Sequence, residues 1–238
     1  MASIPDLTLD EALQLRLRAQ CLHPDTARAD ARDLAAHLCG LQAQDAGAGV
    51  LSFCPRGGGL TADDVDRARR ADRSIVRTWV MRTTLHFVAA EDVRWLLALL
   101  SPRSIRGTRR RREGLGLTEP VVEHGIAALR DLLAGGPLPR ADLLAALAGR
   151  GLPTEGQAGI HLLLRAALDG VIAYGPNAGS SETFVLLDDW LRAVPPAQPA
   201  DPLAALARRY LAAYAPAAPA DFAYWAGVTL TDARAGFD

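Results

Sequence analysis

Disulfide frameworks, lysine and long apolar runs are all missing from this 238-residue chain. Its three cysteines, Cys21, Cys39 and Cys54, are odd in number and show no CxxC spacing, which excludes a bridged scaffold and a zinc knuckle and leaves small, inert thiols. No stretch approaches the roughly 20 uninterrupted apolar residues that a membrane span needs, and residues 1–20 lack the apolar run of a secretion signal. The expected setting is the cytoplasm, in association with the nucleoid, with no membrane partner. Neither a Cys/His ligand set nor a glycine-rich phosphate fingerprint is present, so no metal and no nucleotide cofactor is expected. Half of the residues are hydrophobic, enough for a large core or two smaller ones.

Every one of the 26 basic residues is arginine, and the formal net charge is −1. That average conceals an asymmetry. Between Arg67 and Arg112 thirteen arginines face only Asp72, Glu91 and Asp92, a local balance of +10. Such a segment is a candidate phosphate-binding surface, and the guanidinium fork suits phosphates and base edges better than an ammonium does.

Periodicity then gives the organisation. Thr8 to Glu11 reads as a capping box, followed by Leu9, Leu13 and Leu17 at helical spacing. A second helix is predicted over residues 26–39, stopped by Gly40, and is expected to pair compactly with the first. Thr61 opens a short third helix. From Arg73 to Val88 the pattern changes to period two, with Leu85 and Phe87 on one face and Arg82, Thr84 and His86 on the other, as in a strand or hairpin. The helix starting at Glu91 is predicted to stop at Ser101-Pro102, leaving Arg109 to Arg112 in a loop or frayed end. Three further helices then lead into two strands, residues 171–174 and 183–187. Three helices followed by a hairpin is the winged-helix order, a helix-turn-helix variant that binds duplex DNA. The expected fold is mainly α with short β-hairpins (α+β), as tandem winged-helix units over residues 1–115, 116–194 and 195–238. A stiff proline-bearing linker opens the last segment, whose hairpin is lacking, as in a fragment of a longer protein.

Gln42 and Gln44 carry the most specific chemistry. If their segment is extended, both amides project from one face. An amide is no general base at neutral pH, but it can orient a water and stabilise charge by hydrogen bonds. That suffices only where the leaving group is already activated, as in a purine made cationic by alkylation at N7 or N3.

Gly40-Leu41-Gln42-Ala43-Gln44-Asp45, the stretch Arg77 to His86, His161 to Arg165, and Asp221 to Gly227 resemble, in order along the chain, the signature stretches of the AlkZ/YcaQ-type winged-helix DNA glycosylases. The Gln-x-Gln pattern is similar to that of the AlkZ-like branch. The resemblance implies a monofunctional DNA glycosylase that removes alkylated purines, including bulky N7-alkylguanine adducts and interstrand crosslinks. It implies Gln42 and Gln44 as catalytic residues, with Thr84 and His86 lining the same pocket. Arg77, Arg82, Arg103, Arg106, Arg109, Arg110, Arg111 and Arg112 are the candidate DNA contacts. Asp45, directly after Gln44, is a possible water-activating carboxylate whose alternating position sets it on the opposite face of a strand, and His37 and His161 read as structural. The partner would be double-stranded DNA bearing alkylated purines, met by a monomer. The rival reading is a winged-helix DNA-binding protein without catalysis, a regulator or a lesion-binding remnant.

Overall fold

A computed structural model of the chain describes residues 6–238. The order is α1 (Leu9–Ala19), α2 (Ala31–Leu38), β1 (Leu41–Gln42), α3 (Ala46–Leu51), α4 (Ala62–Arg70), β2 (Ile75–Trp79) and β3 (Leu85–Ala89). Then follow α5 (Val93–Gly114), α6 (Glu119–Leu133), β4 (Leu138–Pro139), α7 (Arg140–Gly149), α8 (Ala158–Leu168), β5 (Ile172–Tyr174), β6 (Thr183–Leu186) and α9 (Leu187–Trp190). The chain ends with α10 (Pro202–Tyr214), α11 (Pro219–Ala226) and α12 (Leu230–Phe237). It is mainly helical with one small antiparallel sheet, the α+β class expected from the periodicity.

The order helix, short strand, two helices, hairpin occurs twice, as α2-β1-α3-α4-β2-β3 and as α6-β4-α7-α8-β5-β6. In both, the short strand pairs with the second strand of the hairpin, β1 with β3 and β4 with β6. The two hairpins are not separate. They join through β2 and β5, where Arg77 faces Tyr174, giving the sheet order β1-β3-β2-β5-β6-β4. The inner strand edges satisfy one another, and the outer strands are only two residues long, which limits exposed edge.

Both faces of this sheet are covered. Val76, Val88 and Ala173 pack with α5 and the last three helices. On the opposite face Trp79, Leu85, Tyr174 and Phe184 pack with α6, α7 and α8, and Leu41, Ala43 and Phe87 pack with α2 and α4. Trp79 and Leu85 of the first repeat thus sit in the core built by the helices of the second, which is why hydrophobic clusters span the chain segments delimited above.

Three expectations are corrected. The helix containing Pro102 does not stop there but continues to Gly114, so Arg109 to Arg112 are helical. Leu96, Leu97, Leu100 and Ser101 are buried, and burial of that face outweighs a proline's cost of roughly 3 kcal/mol. α1 has the predicted capping box, but none of its residues is buried. Leu9, Leu13 and Leu17 are exposed, and the helix leans on α10, with Gln20 Nε2 donating to Ala213 O at 2.6 Å. The segment before α2 is a 3-10 turn, and Asp30 caps the helix proper.

Gly49 on α3 marks a close approach between α3 and the strands of the first repeat. A Cβ there would lie 2.8 Å from both Ala43 Cβ and Phe87 Cε2. Gly49→Leu is expected to destabilise the protein by about 1–3 kcal/mol through overpacking, read as a fall in the denaturant midpoint; an unchanged midpoint would show that the α3 contact is slack.

Candidate active site at the sheet edge

β1 positions the two glutamines. With Leu41 opposite Phe87 and Gln42 opposite His86, the chain alternates so that Leu41 and Ala43 are buried while Gln42 and Gln44 are exposed. Both amides therefore reach solvent, Gln42 from the end of β1 and Gln44 from just past it. Ala43 N donates to Leu85 O at 2.7 Å, and Leu85 N donates to Gln44 Oε1 at 3.3 Å. A backbone N–H can bond only the oxygen of an amide, so the Gln44 NH2 group faces outward with its donors available. Asp45 is not a free carboxylate: it caps α3 by accepting from Ala48 N at 2.7 Å.

Behind the glutamines sits Arg77, only 4% exposed. Its Nε donates to Ala43 O at 2.9 Å and its Nη2 to Gln44 O at 3.2 Å. Nη1 pairs with the Glu182 carboxylate, and the guanidinium lies 4.5 Å from the centroid of the Tyr174 ring. Arg77, expected among the DNA contacts, is therefore an internal bracket that cannot reach a phosphate. Glu182 had no sequence signal, because it lies more than a hundred residues away and meets Arg77 only through the β2–β5 seam. Gly49 was equally silent.

His86 is buried, and its Nδ1 donates to Thr84 O at 3.0 Å. Burial, reinforced by the charge of Arg82 and opposed by the Thr84 bond, pushes its pKa down to about 4. At neutral pH the ring is uncharged, with the proton on Nδ1 and the lone pair on Nε2. Thr78 stands opposite His86 on β2, and its buried Oγ1 has no hydrogen-bond partner. Gln42, His86 and Thr78 thus form a polar row across three strands. The Thr84 hydroxyl, half-buried beside them, donates to Met81 O at 2.8 Å.

The remaining arginines separate by environment. Arg82 is exposed on the β2–β3 turn, where it and Thr83 adopt left-handed backbone angles, φ 51° and 62°. Arg103, Arg106 and Arg110 are exposed on α5. Arg109 is exposed but pairs with Glu113 at 2.7 Å, and Arg111 donates to Gln157 Oε1 at 2.6 Å. Arg112 is corrected: it is buried, donating to Ile105 O at 2.9 Å and Thr108 Oγ1 at 2.7 Å, so it stabilises the helix instead of facing solvent. Among the described residues no cluster of metal-ligating side chains occurs.

A mainly helical protein with paired amides at a rigid sheet edge is thus the class that fold and site define. The family model described as DNA glycosylase AlkZ-like matches residues 35–238, and the chain belongs to that family. A protein from Streptomyces sahachiroi described as an interstrand DNA cross-link repair glycosylase is 28% identical over 226 residues, covering 91% of this chain and 60% of the relative. The solved structure of the Streptomyces sahachiroi DNA glycosylase AlkZ superposes with a TM-score of 0.80 at 24% identity, covering 98% of this chain and 65% of that one. The chain therefore spans about 60% of the length of the curated relative that it matches.

Two outcomes follow from the site. Between the ordinary histidine pKa of 6.5 and the buried value of about 4, the unfolded chain takes up a proton that folded His86 refuses. The associated stability is complete above pH 6.5 and is lost as pH falls toward 4, a few kcal/mol at about 1.4 kcal/mol per pKa unit. Denaturant midpoints at pH 7.5 and 5 should fall further for wild type than for His86→Gln; parallel losses would contradict the assignment. Arg77→Met, which strips the Ala43 and Gln44 carbonyls of their donor, should cost on the order of 2–4 kcal/mol, measured by the same unfolding curves, and a loss below 1 kcal/mol would remove Arg77 as a bracket.

Proposed function

We propose that the chain is a monofunctional DNA glycosylase that hydrolyses the N-glycosidic bond of an alkylated purine, of the N7-alkylguanine or interstrand-crosslink kind, in DNA repair or self-resistance. We read the two repeats as winged-helix units acting as a monomer on double-stranded DNA in the cytoplasm. Family membership supports the reaction class. The observation that carries the reading is the pair of exposed amides at the end of β1, where Arg77 brackets the backbone carbonyls of Ala43 and Gln44.

A purine alkylated at N7 is cationic, so its departure as a neutral base draws the bonding electrons from C1′ and leaves an oxocarbenium-like sugar. Water then adds its oxygen to C1′, and its proton passes to solvent. The outward NH2 of Gln44 can donate to that water's oxygen while the Gln42 carbonyl accepts one of its protons, which holds the nucleophile without a strong base. A neutral His86 adds no positive charge beside a cationic lesion, and its Nε2 lone pair offers a further acceptor. Arg77, although cationic, is turned inward onto Glu182 and the two carbonyls, so its charge is largely compensated.

Base release from a duplex carrying a single N7-alkylguanine, corrected for spontaneous depurination, tests the proposal. Gln42→Ala/Gln44→Ala is expected to slow release by about 100-fold or more, the scale of losing placed hydrogen-bond groups in a transition state, with duplex binding retained. Binding without release by wild type would favour the non-catalytic DNA-binding reading.

A further inference from the structure

A groove of about 770 Å³ runs between the β2–β3 turn, the middle of α5 and the end of α11. Tyr224 lies in it with 75% of its surface exposed, and the Arg82 guanidinium sits 4.6 Å from the centroid of that ring. The arrangement is seated by Gly227, whose φ is 75° and where a Cβ would come 3.0 Å from Arg82 Cγ. The opposite wall carries Arg103 and Arg106. Arg110 continues the same helical row at a spacing of three and four residues, spanning roughly 10 Å at 1.5 Å rise per residue. Among the described residues, Arg82, Arg103, Arg106 and Arg110 form no ion pair within 4 Å, whereas Arg109 and Arg209 are matched by Glu113 and Asp92. Asp232, the carboxylate whose pKa is lowered in part by Arg103, is held by Thr229 at 2.6 Å as a helix cap.

We propose that this groove holds one unpaired nucleotide of DNA beside the glutamine site, its base stacked on Tyr224 and its flanking phosphates along Arg103, Arg106 and Arg110. With Arg82 over one face of the exposed Tyr224 ring, its other face beside unpaired guanidinium groups is the pairing that binds single-stranded nucleic acid, the ring taking any base and the arginines the backbone. A surface for duplex phosphates alone would need no exposed ring. The left-handed backbone at Arg82 and Thr83 keeps Arg82 against Tyr224, and such backbone strain persists where the surrounding structure over-determines it. The turn leads straight into Thr84 and β3, where Leu85 bonds Gln44 and His86 faces Gln42, which places the groove at the same end of the sheet as the amide pair. The proposal rests on the chain acting on DNA, but it fails separately from the glycosylase reading: base release reports the glutamines, and binding of undamaged DNA reports the groove.

The test uses the full chain with two undamaged duplexes, one fully paired and one with a single bulged 2-aminopurine, followed by anisotropy and by 2-aminopurine emission. Wild type and Tyr224→Phe should quench the bulged base and bind that duplex within about twofold of each other. Tyr224→Ala should lose the quenching and bind the bulged duplex roughly 5- to 100-fold more weakly, with paired-duplex binding little changed. Arg103→Gln/Arg106→Gln should flatten the salt dependence by roughly 0.7–0.9 log units per arginine. Wild-type quenching by Tyr224→Ala, an equal loss on both duplexes, or an unchanged salt slope would each overturn the proposal. Tyr224 is exposed, so the substitutions leave the core intact, which a thermal melt checks.

Discussion

The guanidinium of Arg77 is a cation withdrawn from water at the place where two repeats meet. Its strand makes the single residue pair, Arg77 with Tyr174, that fuses the hairpins into one sheet. Burying a charge is unfavourable unless every donor finds a partner. Here Ala43 O, Gln44 O and Glu182 provide them, and the Tyr174 ring covers one face. The demand for satisfaction therefore fixes three separate segments at once: the edge strand with the glutamines, the inner strand, and the turn entering β6. Moving any one of them would strand a charge or a carbonyl in the interior.

The packing around this bracket transmits the same constraint outward. Ala43 is fully buried between the two exposed amides, and Gly49 leaves it the only space that α3 allows. On the other face α10 closes the sheet, where Arg209 pairs with the buried Asp92, itself accepting from Trp95 Nε1 at 2.7 Å. The last helical segment thus completes a core that the first two repeats leave open, and α11 brings Tyr224 to the turn that carries Arg82.

The chemistry available at this edge is mild. Two amides, a threonine hydroxyl and a histidine held neutral by burial can orient a water and accommodate positive charge, yet none is a strong base. That combination is matched to a leaving group activated by its own charge and mismatched to a neutral nucleoside, whose departure would need a proton donor. The arginines divide by environment: Arg77 behind the amides and Arg112 on α5 are turned inward, while Arg82 on the turn and Arg103, Arg106 and Arg110 on α5 face solvent.

Local information in the sequence determined the helices opening at Thr8 and Thr61, the two hairpins, and the alternation that exposes Gln42 and Gln44 around Ala43. These follow from short-range hydrogen bonding and from the period of a strand, which act over a few residues. The period-two stretch also pointed to Thr84 and His86, whereas Arg82, which it set on the same face, lies in the left-handed turn before β3. Only the tertiary structure decided that α5 would run through Pro102, that α1 would leave its leucine stripe exposed, and that Arg77 and Arg112 would turn inward while Arg103 and Arg106 stayed in solvent. It alone brought Glu182 to Arg77 and Tyr224 to Arg82. A sequence pattern reports which faces of an element differ, but whether a face meets solvent or another segment depends on contacts between residues far apart in the chain, and those are fixed only when the core closes.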